Sequence, residues 1–146
     1  MSRASEERNR AMLRARDAMD ARFDSALDIA ALARLACCSP SHFIRTFAAT
    51  FGETPHRYLQ RRRVERAMYL LRSTRTSVTD VCWAVGFSSL GTFVRTFTRV
   101  VGETPTAYRA RGPLPAVPGC FAMRWLRPSG FAEGSSFGEA VGARAG

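Results

Sequence analysis

Two arginines in matching surroundings are the residues of this chain whose type and spacing indicate chemistry. Arg45 lies in the segment FIRTF at 43–47, and Arg95 lies fifty residues later in FVRTF at 93–97. An arginine side chain can bind a guanine edge or a phosphate through two parallel hydrogen bonds, which a lysine cannot do. If these segments are helical, both arginines lie on the face opposite the phenylalanines. The pair therefore indicates two contacts with a nucleic acid.

The segment around each arginine belongs to a longer repeat. Residues 43–58 and 93–108 are identical at nine of sixteen positions, where average composition gives about one match. A period this short indicates one supersecondary unit used twice. Each copy predicts a short helix, a turn and a second helix that carries the arginine. A duplicated hairpin that only builds a core is the alternative interpretation.

The charge of the chain agrees with a polyanionic partner. Its 146 residues include 22 arginines, no lysine and 12 acidic residues, for a net charge of +10. Residues 39–111 hold 12 arginines and 4 acids, whereas residues 1–38 hold 7 and 6. Because the surplus coincides with the repeats, we expect the repeats to face a nucleic acid. GC-rich codon bias is an alternative reason for the missing lysine, and a solvated basic surface is the alternative for the charge.

The cysteines and histidines offer little for catalysis. Cys37, Cys38, Cys82 and Cys120 show no C-x-x-C spacing, so we expect neither a zinc site nor a disulfide framework. We interpret Cys37 and Cys82 as small buried hydrophobes in a reducing compartment. Cys38 lies four residues before His42, which leaves open a Cys/His nucleophile or half of a metal site. Since no further ligands cluster there, we predict no enzyme activity and no cofactor.

The sequence shows no signal for export or for insertion into a membrane. Its N-terminal segment, MSRASEERNR, has no apolar stretch, which predicts no signal peptide. No run of eighteen apolar residues occurs, which predicts no membrane span. We therefore expect a cytoplasmic, nucleoid-associated protein.

Apolar periodicity and capping residues predict an all-α fold. The expected helices span residues 5–22, 29–36, 40–51, 55–72, 78–85, 88 or 89 to 101, and 105–111. A domain over 1–112 then contains a first helix-turn-helix at about 28–51, a linker helix at 55–72 and a second helix-turn-helix at about 77–101. That linker is about 26 Å long and acts as a rigid spacer.

The remainder, residues 113–146, is rich in proline and glycine, which predicts a flexible tail. Its segment 120–126 is too apolar for a pure linker. This segment either packs back on the domain or meets a partner.

The outward positions of the repeated unit are the candidate reading residues. In a helix-turn-helix the second helix lies in the major groove, so its outward side chains meet base edges. We expect Phe43, Phe47, Phe93 and Phe97 in the core. The candidate DNA-contacting residues are Ser41, His42, Ile44, Arg45, Arg57, Arg61, Arg62, Leu90, Gly91, Thr92, Arg95 and Arg99. An exposed salt bridge is the alternative for the two arginines of the repeat.

The quoted motifs carry a family resemblance over about residues 5–111. The segment LARLACCSPSHFIRTF at 32–47 resembles the first unit of the paired helix-turn-helix domain of the AraC/XylS transcription regulators. The segment VTDVCWAVGFSSLGTFVRTF at 78–97, followed by GETPTAYR at 102–109, resembles the more diagnostic second unit. The resemblance implies seven helices in two homeodomain-like units that read two successive major-groove segments.

Carried over by position, the resemblance implies base contacts from particular residues. In the first unit these are Ser41, Ile44 and Arg45, and in the second unit they are Leu90, Gly91, Thr92 and Arg95. Several of these positions are commonly polar in the family, but Ile44, Leu90 and Gly91 have no side-chain hydrogen bond to offer. We therefore expect DNA shape and phosphate contacts to carry more of the second unit's binding.

These observations predict a sequence-specific transcription regulator that binds double-stranded DNA as a monomer. Most relatives carry a separate ligand-binding or dimerisation domain, so we expect either a small stand-alone member or a truncated relative. RNA polymerase is a further candidate partner, no membrane partner is expected, and activation and repression are both compatible with the pattern. The alternative is a non-specific or architectural binder that uses the arginines of residues 57–66 on the DNA backbone alone.

Overall fold

The architecture is all-α, as predicted. The structure, a computed structural model, describes residues 2–114. In this part of the chain it contains seven helices and no strand. The helices are α1 (Arg3–Ala21), α2 (Ile29–Leu35), α3 (Pro40–Phe51), α4 (Pro55–Ser73), α5 (Val78–Ala84), α6 (Leu90–Val101) and α7 (Pro105–Arg109). From residue 115 onward the predicted tail, with Cys120 and the segment 120–126, lies outside the described residues.

Capping residues set where the helices begin and end. A serine or threonine hydroxyl accepts a hydrogen bond from the backbone N–H three residues later at the start of six helices, namely at Ser2, Ser39, Thr54, Ser77, Ser89 and Thr104. These bonds satisfy N–H groups that have no partner inside the helix. Gly52 and Gly102 end α3 and α6 with φ of 78° and 93°, a left-handed conformation that favours glycine.

The helices pack into two cores that share one helix. The first core joins α1, α2, α3 and the start of α4, and Phe43 and Phe47 are fully buried at its centre. The second joins the later part of α4 with α5, α6 and α7 around Phe93 and Phe97, which are also fully buried. The prediction that these four phenylalanines form the core is confirmed. Because α4 belongs to both cores, it takes in the second unit the place that α1 has in the first.

The two cysteines that were expected to be buried differ. Cys82 on α5 is buried, as predicted, and burial raises its pKa. Cys37 is exposed, so the prediction was wrong there. The reason is that α2 ends at Leu35, and Cys37 lies in the following turn with a left-handed φ of 57° instead of on the apolar face of the helix.

Candidate nucleic-acid interface

The N-terminal half of α3 is an exposed surface on a firmly held helix. Phe43 and Phe47 fix its inner face in the first core. On the other side Ser41, His42 and Arg45 are exposed, and the side chain of Ile44 is exposed by 38%. Arg45 has no hydrogen-bond or ion-pair partner among the described residues. It is therefore a long cationic donor that the fold itself does not use.

The N-terminal half of α6 presents the second surface. Leu90 and Gly91 are exposed, Leu90 by 39%, and Thr92 is half-buried. Arg95 is exposed one turn further along. The two helices thus each present one exposed arginine at equivalent positions of the repeat, with an exposed aliphatic side chain close by.

Arg95 is held more closely than Arg45. Its Nη2 donates to the hydroxyl of Thr92 at 3.3 Å. A Cβ placed on Gly91 would lie 3.4 Å from Nη1 of Arg95, so the guanidinium lies back along the helix over the glycine. Gly91 offers no side chain to the bases, and an added Cβ would be in van der Waals contact with the guanidinium of Arg95. The second unit therefore orients its arginine before any ligand arrives.

Arg61 on α4 belongs to an ion-pair cluster. Its Nη2 lies 2.6 Å from Glu53 Oε1, and its Nη1 lies 2.8 Å from Glu65 Oε1. Burial works against the charged form, but the hydrogen bond to Glu53 and the nearby charge of Glu65 prevail and raise the pKa of Arg61. Two carboxylates thus already neutralise this candidate, which weakens the case for its contact with phosphate.

Arg62 requires a correction. The sequence interpretation placed it on the polar side of α4 for contact with the DNA backbone. Its side chain is only 10% exposed, and its Nε donates to Asp20 Oδ1 at 3.1 Å. Glu65 completes the pairing at 3.6 Å. Arg62 lies one turn after Tyr58, on the buried face of α4, so it ties α1 to α4 and is not part of the surface that can meet DNA.

Two other arginines of α4 are also used by the fold. Arg63 donates from Nε to the carbonyl of Phe23 and from Nη2 to that of Ser25, each at 2.6 Å. Arg66 lies 5.1 Å from the ring centre of Tyr69, and its Nη1 is buried. Burial lowers the pKa of both arginines. The arginine-rich helix is consequently not the solvated basic face that its composition suggested.

Arg57 and Arg99 are the remaining candidates, and both are exposed. Arg57 lies in the first turn of α4 and has no side-chain partner in the part of the chain that the structure describes. Arg99 donates from Nη2 to Gln60 Oε1 at 3.0 Å, which connects α6 to the linker helix. Gln60 was missed from the sequence, because a contact across 39 residues has no local signal.

One exposed aromatic residue was also missed. Trp83 on α5 is exposed by 48%, the largest value among the big apolar side chains of the described region. Trp83 lies on the first helix of the second unit, the helix that crosses the DNA backbone in known helix-turn-helix complexes. The sequence did carry a signal for this exposure, because Trp83 lies outside the apolar face of α5 that Val81 and Cys82 form.

The Cys/His alternative has little support from geometry or charge. Burial, and next to it the neighbouring Cys37, raises the pKa of Cys38. A raised pKa lowers the thiolate fraction that a nucleophile needs. Within residues 2–114, no three His, Cys, Asp or Glu side chains lie close enough together to hold a metal ion. In the same region no helix combines the length and the apolar character required to cross a bilayer.

Two helix-turn-helix units on a shared helix define a class of nucleic-acid-binding fold, and known proteins show the same arrangement. The sequence profile of a helix-turn-helix domain family matches residues 32–111, more than half of the chain. A probable AraC family transcriptional regulator from Rhodopseudomonas palustris CGA009 superposes with a TM-score of 0.66 at 27% identity, over 72% of this chain and 99% of that one. The DNA-binding domain of AdpA, a global transcriptional factor solved in complex with a target DNA, gives a TM-score of 0.64 at 29% identity, over 80% and 96%.

A relative found by sequence agrees with this result. The HTH-type transcriptional regulator Rv1931c of Mycobacterium tuberculosis is 40% identical over 64 residues, which are 44% of this chain and 25% of that protein. The match thus spans a quarter of that relative's length. The chain belongs to the AraC/XylS family of helix-turn-helix transcription regulators, which confirms the resemblance drawn from its motifs.

Proposed function

We propose that this protein is a transcription regulator that binds duplex DNA as a monomer and reads two successive major-groove segments, one with α3 and one with α6. The residues assigned to the bases are Ser41, His42, Ile44, Arg45, Leu90, Gly91, Thr92 and Arg95. Arg57 and Arg99 are assigned to phosphates, and Arg61 makes at most a secondary phosphate contact. Arg62 is left out of the interface.

One observation carries the proposal. Most arginines of α4 and α7 are bonded to other elements of the protein. Arg45 and Arg95 instead lie on the exposed sides of helices whose inner phenylalanines are fully buried, and Arg95 bonds only to Thr92 of its own helix. A fold that needs neither guanidinium for its own stability leaves both available to a ligand. Arginine at such a position favours a guanine edge in the major groove.

The chemistry of the two surfaces predicts an asymmetric DNA site. Ser41 and His42 give the first surface hydrogen-bonding groups, whereas Leu90 and Gly91 give the second surface an aliphatic contact and an open backbone. An aliphatic side chain in the major groove favours a thymine methyl group. Since one chain supplies both surfaces, the site does not need the twofold symmetry that dimeric readers require.

Footprinting of the full chain on selected DNA tests the proposal. We expect two protected major-groove segments about 10 base pairs apart on one face of the duplex, one helical turn. The selected sequence should be bound about 10³-fold more tightly than competitor DNA at physiological salt. A single protected segment would refute the two-segment reading, and equal affinity for all sequences would refute specific recognition.

A non-specific architectural role is the second candidate, and the structure removes its main support. It relied on the arginines of residues 57–66 as a continuous phosphate-binding row. Arg61 and Arg62 are ion-paired, and Arg63 is bonded to carbonyl groups. Loss of all sequence preference in the competition experiment would restore this candidate.

Two further assignments complete the proposal. The protein acts in the cytoplasm on nucleoid DNA, without catalysis, and RNA polymerase is its candidate protein partner. The family membership supports these assignments, since the relatives are named as transcription regulators. Transcription in vitro from a promoter that carries the selected site, with and without the protein, measures whether polymerase activity depends on it.

A further inference from the structure

The loop between α1 and α2 connects the first unit to the second. Phe23 lies in this loop, after the end of α1 at Ala21. Among the partly buried hydrophobic residues of the described region, Phe23 is the one that packs against both core clusters. The guanidinium of Arg62 lies over its ring, 5.9 Å from the centroid. The loop therefore contacts more than the unit to which it belongs.

Arg63 joins this loop to the turn of the second unit. It holds the carbonyl groups of Phe23 and Ser25, and its guanidinium lies 5.7 Å from the ring centre of Phe87. Phe87 is buried in the second core, directly after the turn between α5 and α6. One side chain of the linker helix thus contacts both units.

The two backbones also meet directly. Gly86 has a φ of 98°, and a Cβ placed on it would lie 2.7 Å from Asp24 Cα and 2.8 Å from its carbonyl oxygen. Real Cβ atoms do not approach a backbone so closely, so only glycine allows this contact. The loop of the first unit is therefore seated against the turn that leads into the second recognition helix.

We propose that Phe23, Asp24, Ser25, Arg63, Gly86 and Phe87, which we call the inter-unit clamp, are positioning residues that fix α6 relative to α3 and so set the spacing between the two DNA segments that can be read together. This inference rests on the proposed function and goes beyond it. A helix that is shared by two cores fixes their separation along its axis, but it can still bend or twist between them. Contacts beside the helix, such as those of the clamp, resist that bending.

Spacing matters because the groove is helical. Inserting one base pair between the two segments moves them apart by about 3.4 Å and rotates one by about 35° relative to the other. Two recognition helices held at a fixed distance and angle can bind two DNA segments at only one spacing. A pair that bends freely can follow several at nearly equal affinity.

The first experiment measures the distance between the two units in the absence of DNA. Nitroxide labels are attached through ketone-bearing amino acids at Ala49 and Val100, exposed positions near the ends of α3 and α6, so that the native cysteines stay unlabelled. Pulsed electron resonance on the full chain should give a narrow distance distribution. Arg63→Met, which keeps the apolar stem and removes the guanidinium, should broaden it.

Matched variants make the result decisive. Arg63→Lys keeps the charge but cannot hold two carbonyl groups in parallel, so it should also broaden the distribution. If thermal unfolding shows that Arg63→Met does not fold, the distance distribution of Arg63→Lys provides the test. Arg75→Met removes an exposed arginine just after α4 and should leave the distribution narrow. A narrow distribution in every folded Arg63 variant overturns the proposal.

The second experiment measures binding to DNA whose segment spacing is changed by one base pair. We expect the intact protein to lose about tenfold in affinity, comparable to one mismatched base pair. The Arg63 variants should lose clearly less, because a looser pair of units can follow the altered groove. Equal losses in the variants and the intact protein would overturn the clamp as a spacing device. Failure of the intact protein to prefer any sequence would instead overturn the proposed function, while the label distances would still test the clamp.

Discussion

The two units repeat one another in detail within their cores. Phe43 and Phe47 have ring centres 5.7 Å apart, and Phe93 and Phe97 have theirs 5.8 Å apart. The tyrosine that follows packs edge-on in both, at 5.7 Å in the first unit and 5.6 Å in the second. An acidic residue pairs with an arginine eight positions on in each unit, Glu53 with Arg61 and Glu103 with Arg111. The repeated sequence thus encodes repeated packing.

The units differ in how each tyrosine meets its supporting helix. In the first unit, Tyr58 Oη donates to Asp20 Oδ1 of α1 at 2.6 Å, and Arg62 joins the same carboxylate oxygen. In the second unit, α4 replaces α1 as the support. There Arg72 lies over the ring of Tyr108 at 5.2 Å, and its Nε donates to the carbonyl of Gly112.

This difference shows how one unit was adapted to two positions in the chain. The first unit must hold a separate N-terminal helix, and it does so with the largely buried carboxylate of Asp20, which accepts hydrogen bonds from a phenol and a guanidinium. The second unit is built directly on the shared helix and needs no such group. The hydrogen-bonded ion pair between the supporting helix and the rest of the unit is therefore a feature of the first unit, and substitutions that remove it should affect the two units differently.

Arg62→Ala should have the largest effect on stability. It would remove the shared cation from Asp20 and Glu65, which are both largely buried, and leave Asp20 with Tyr58 and Glu65 with Arg61. Loss of one member of a buried ion pair costs about 3–5 kcal/mol. Urea unfolding measures the change in the free energy of unfolding, and the position fifty residues later is Gly112, so the second unit has no equivalent bond to lose.

Arg111→Ala is the control, because it breaks a more exposed pair with Glu103 that is worth about 0–1 kcal/mol. A DNA titration adds a second readout. A phosphate contact by Arg62 would lower the slope of log affinity against log salt by about one, whereas its buried position predicts no change in that slope. A drop of that size with unchanged stability would return Arg62 to the interface.

Gly86→Ala should be nearly as costly. A left-handed backbone costs an alanine about 1–2 kcal/mol, and the clash with the backbone of Asp24 adds about 1–3 kcal/mol. Gly102→Ala is the matched control, since its φ is also positive but no atom lies within 4 Å of an added Cβ. Thermal and urea unfolding should show that Gly86→Ala is clearly less stable than Gly102→Ala. Equal losses would mean that the approach of the two units at Gly86 is not tight.

Tyr58→Phe should weaken the first unit only. It removes a hydrogen bond to a charged acceptor, which is worth about 1.5–3 kcal/mol. Tyr108→Phe is its counterpart in the second unit, where the hydroxyl has no hydrogen bond to any described residue, and we expect almost no loss. The free energy of unfolding of both variants is measured by urea titration at neutral pH. Similar losses at the two positions would erase the difference between the units.

Alkaline pH gives the same bond a second test. Burial, the hydrogen bond to Asp20 and its negative charge raise the pKa of Tyr58 well above its ordinary value of about 10. The unfolded chain therefore loses this proton above about pH 10 while the folded chain keeps it, so the stabilisation is complete below pH 10 and is lost as the pH rises further. The decline of stability above pH 10 should be shallower in Tyr58→Phe. An unchanged decline would contradict the burial of the phenol.

Arg45→Ala and Arg95→Ala compare the two reading surfaces. Each should cost about 1–3 kcal/mol of DNA affinity and relax the preference at one base position. Arg95 is held by Thr92 before binding, so Thr92→Val should reduce affinity in the second segment while leaving the first unchanged. Binding to DNA libraries randomised in one segment at a time measures both effects. Loss of preference in the same segment for both arginine variants would contradict the assignment of one helix to each segment.

The sequence predicted the helices well because their signals are local. A serine, threonine or aspartate before each helix and a glycine after α3 and α6 act within a few residues. Arg62 was misplaced because its partner Asp20 lies 42 residues away. A signal was nevertheless present, since Arg62 follows Tyr58 and Leu59 by four and three positions, on their apolar face. The clamp had no signal at all, because it joins a loop, a helix and a turn that meet only in the folded chain.

The smallest effect concerns the turn where the two units use different residues for one backbone conformation. Cys37 has a φ of 57° at the place where the second unit has Gly86. A left-handed conformation at a residue with a Cβ lowers the free energy of unfolding by about 1–2 kcal/mol. A glycine avoids this strain, but it lowers the free energy of unfolding by about 0.4–1 kcal/mol because it makes the unfolded chain more flexible. Cys37→Gly should therefore raise the free energy of unfolding by about 0–1.6 kcal/mol. Cys37→Ala, which keeps the Cβ and removes only an exposed thiol, should change nothing, so a glycine variant less stable than the alanine variant would show that the first turn is not strained.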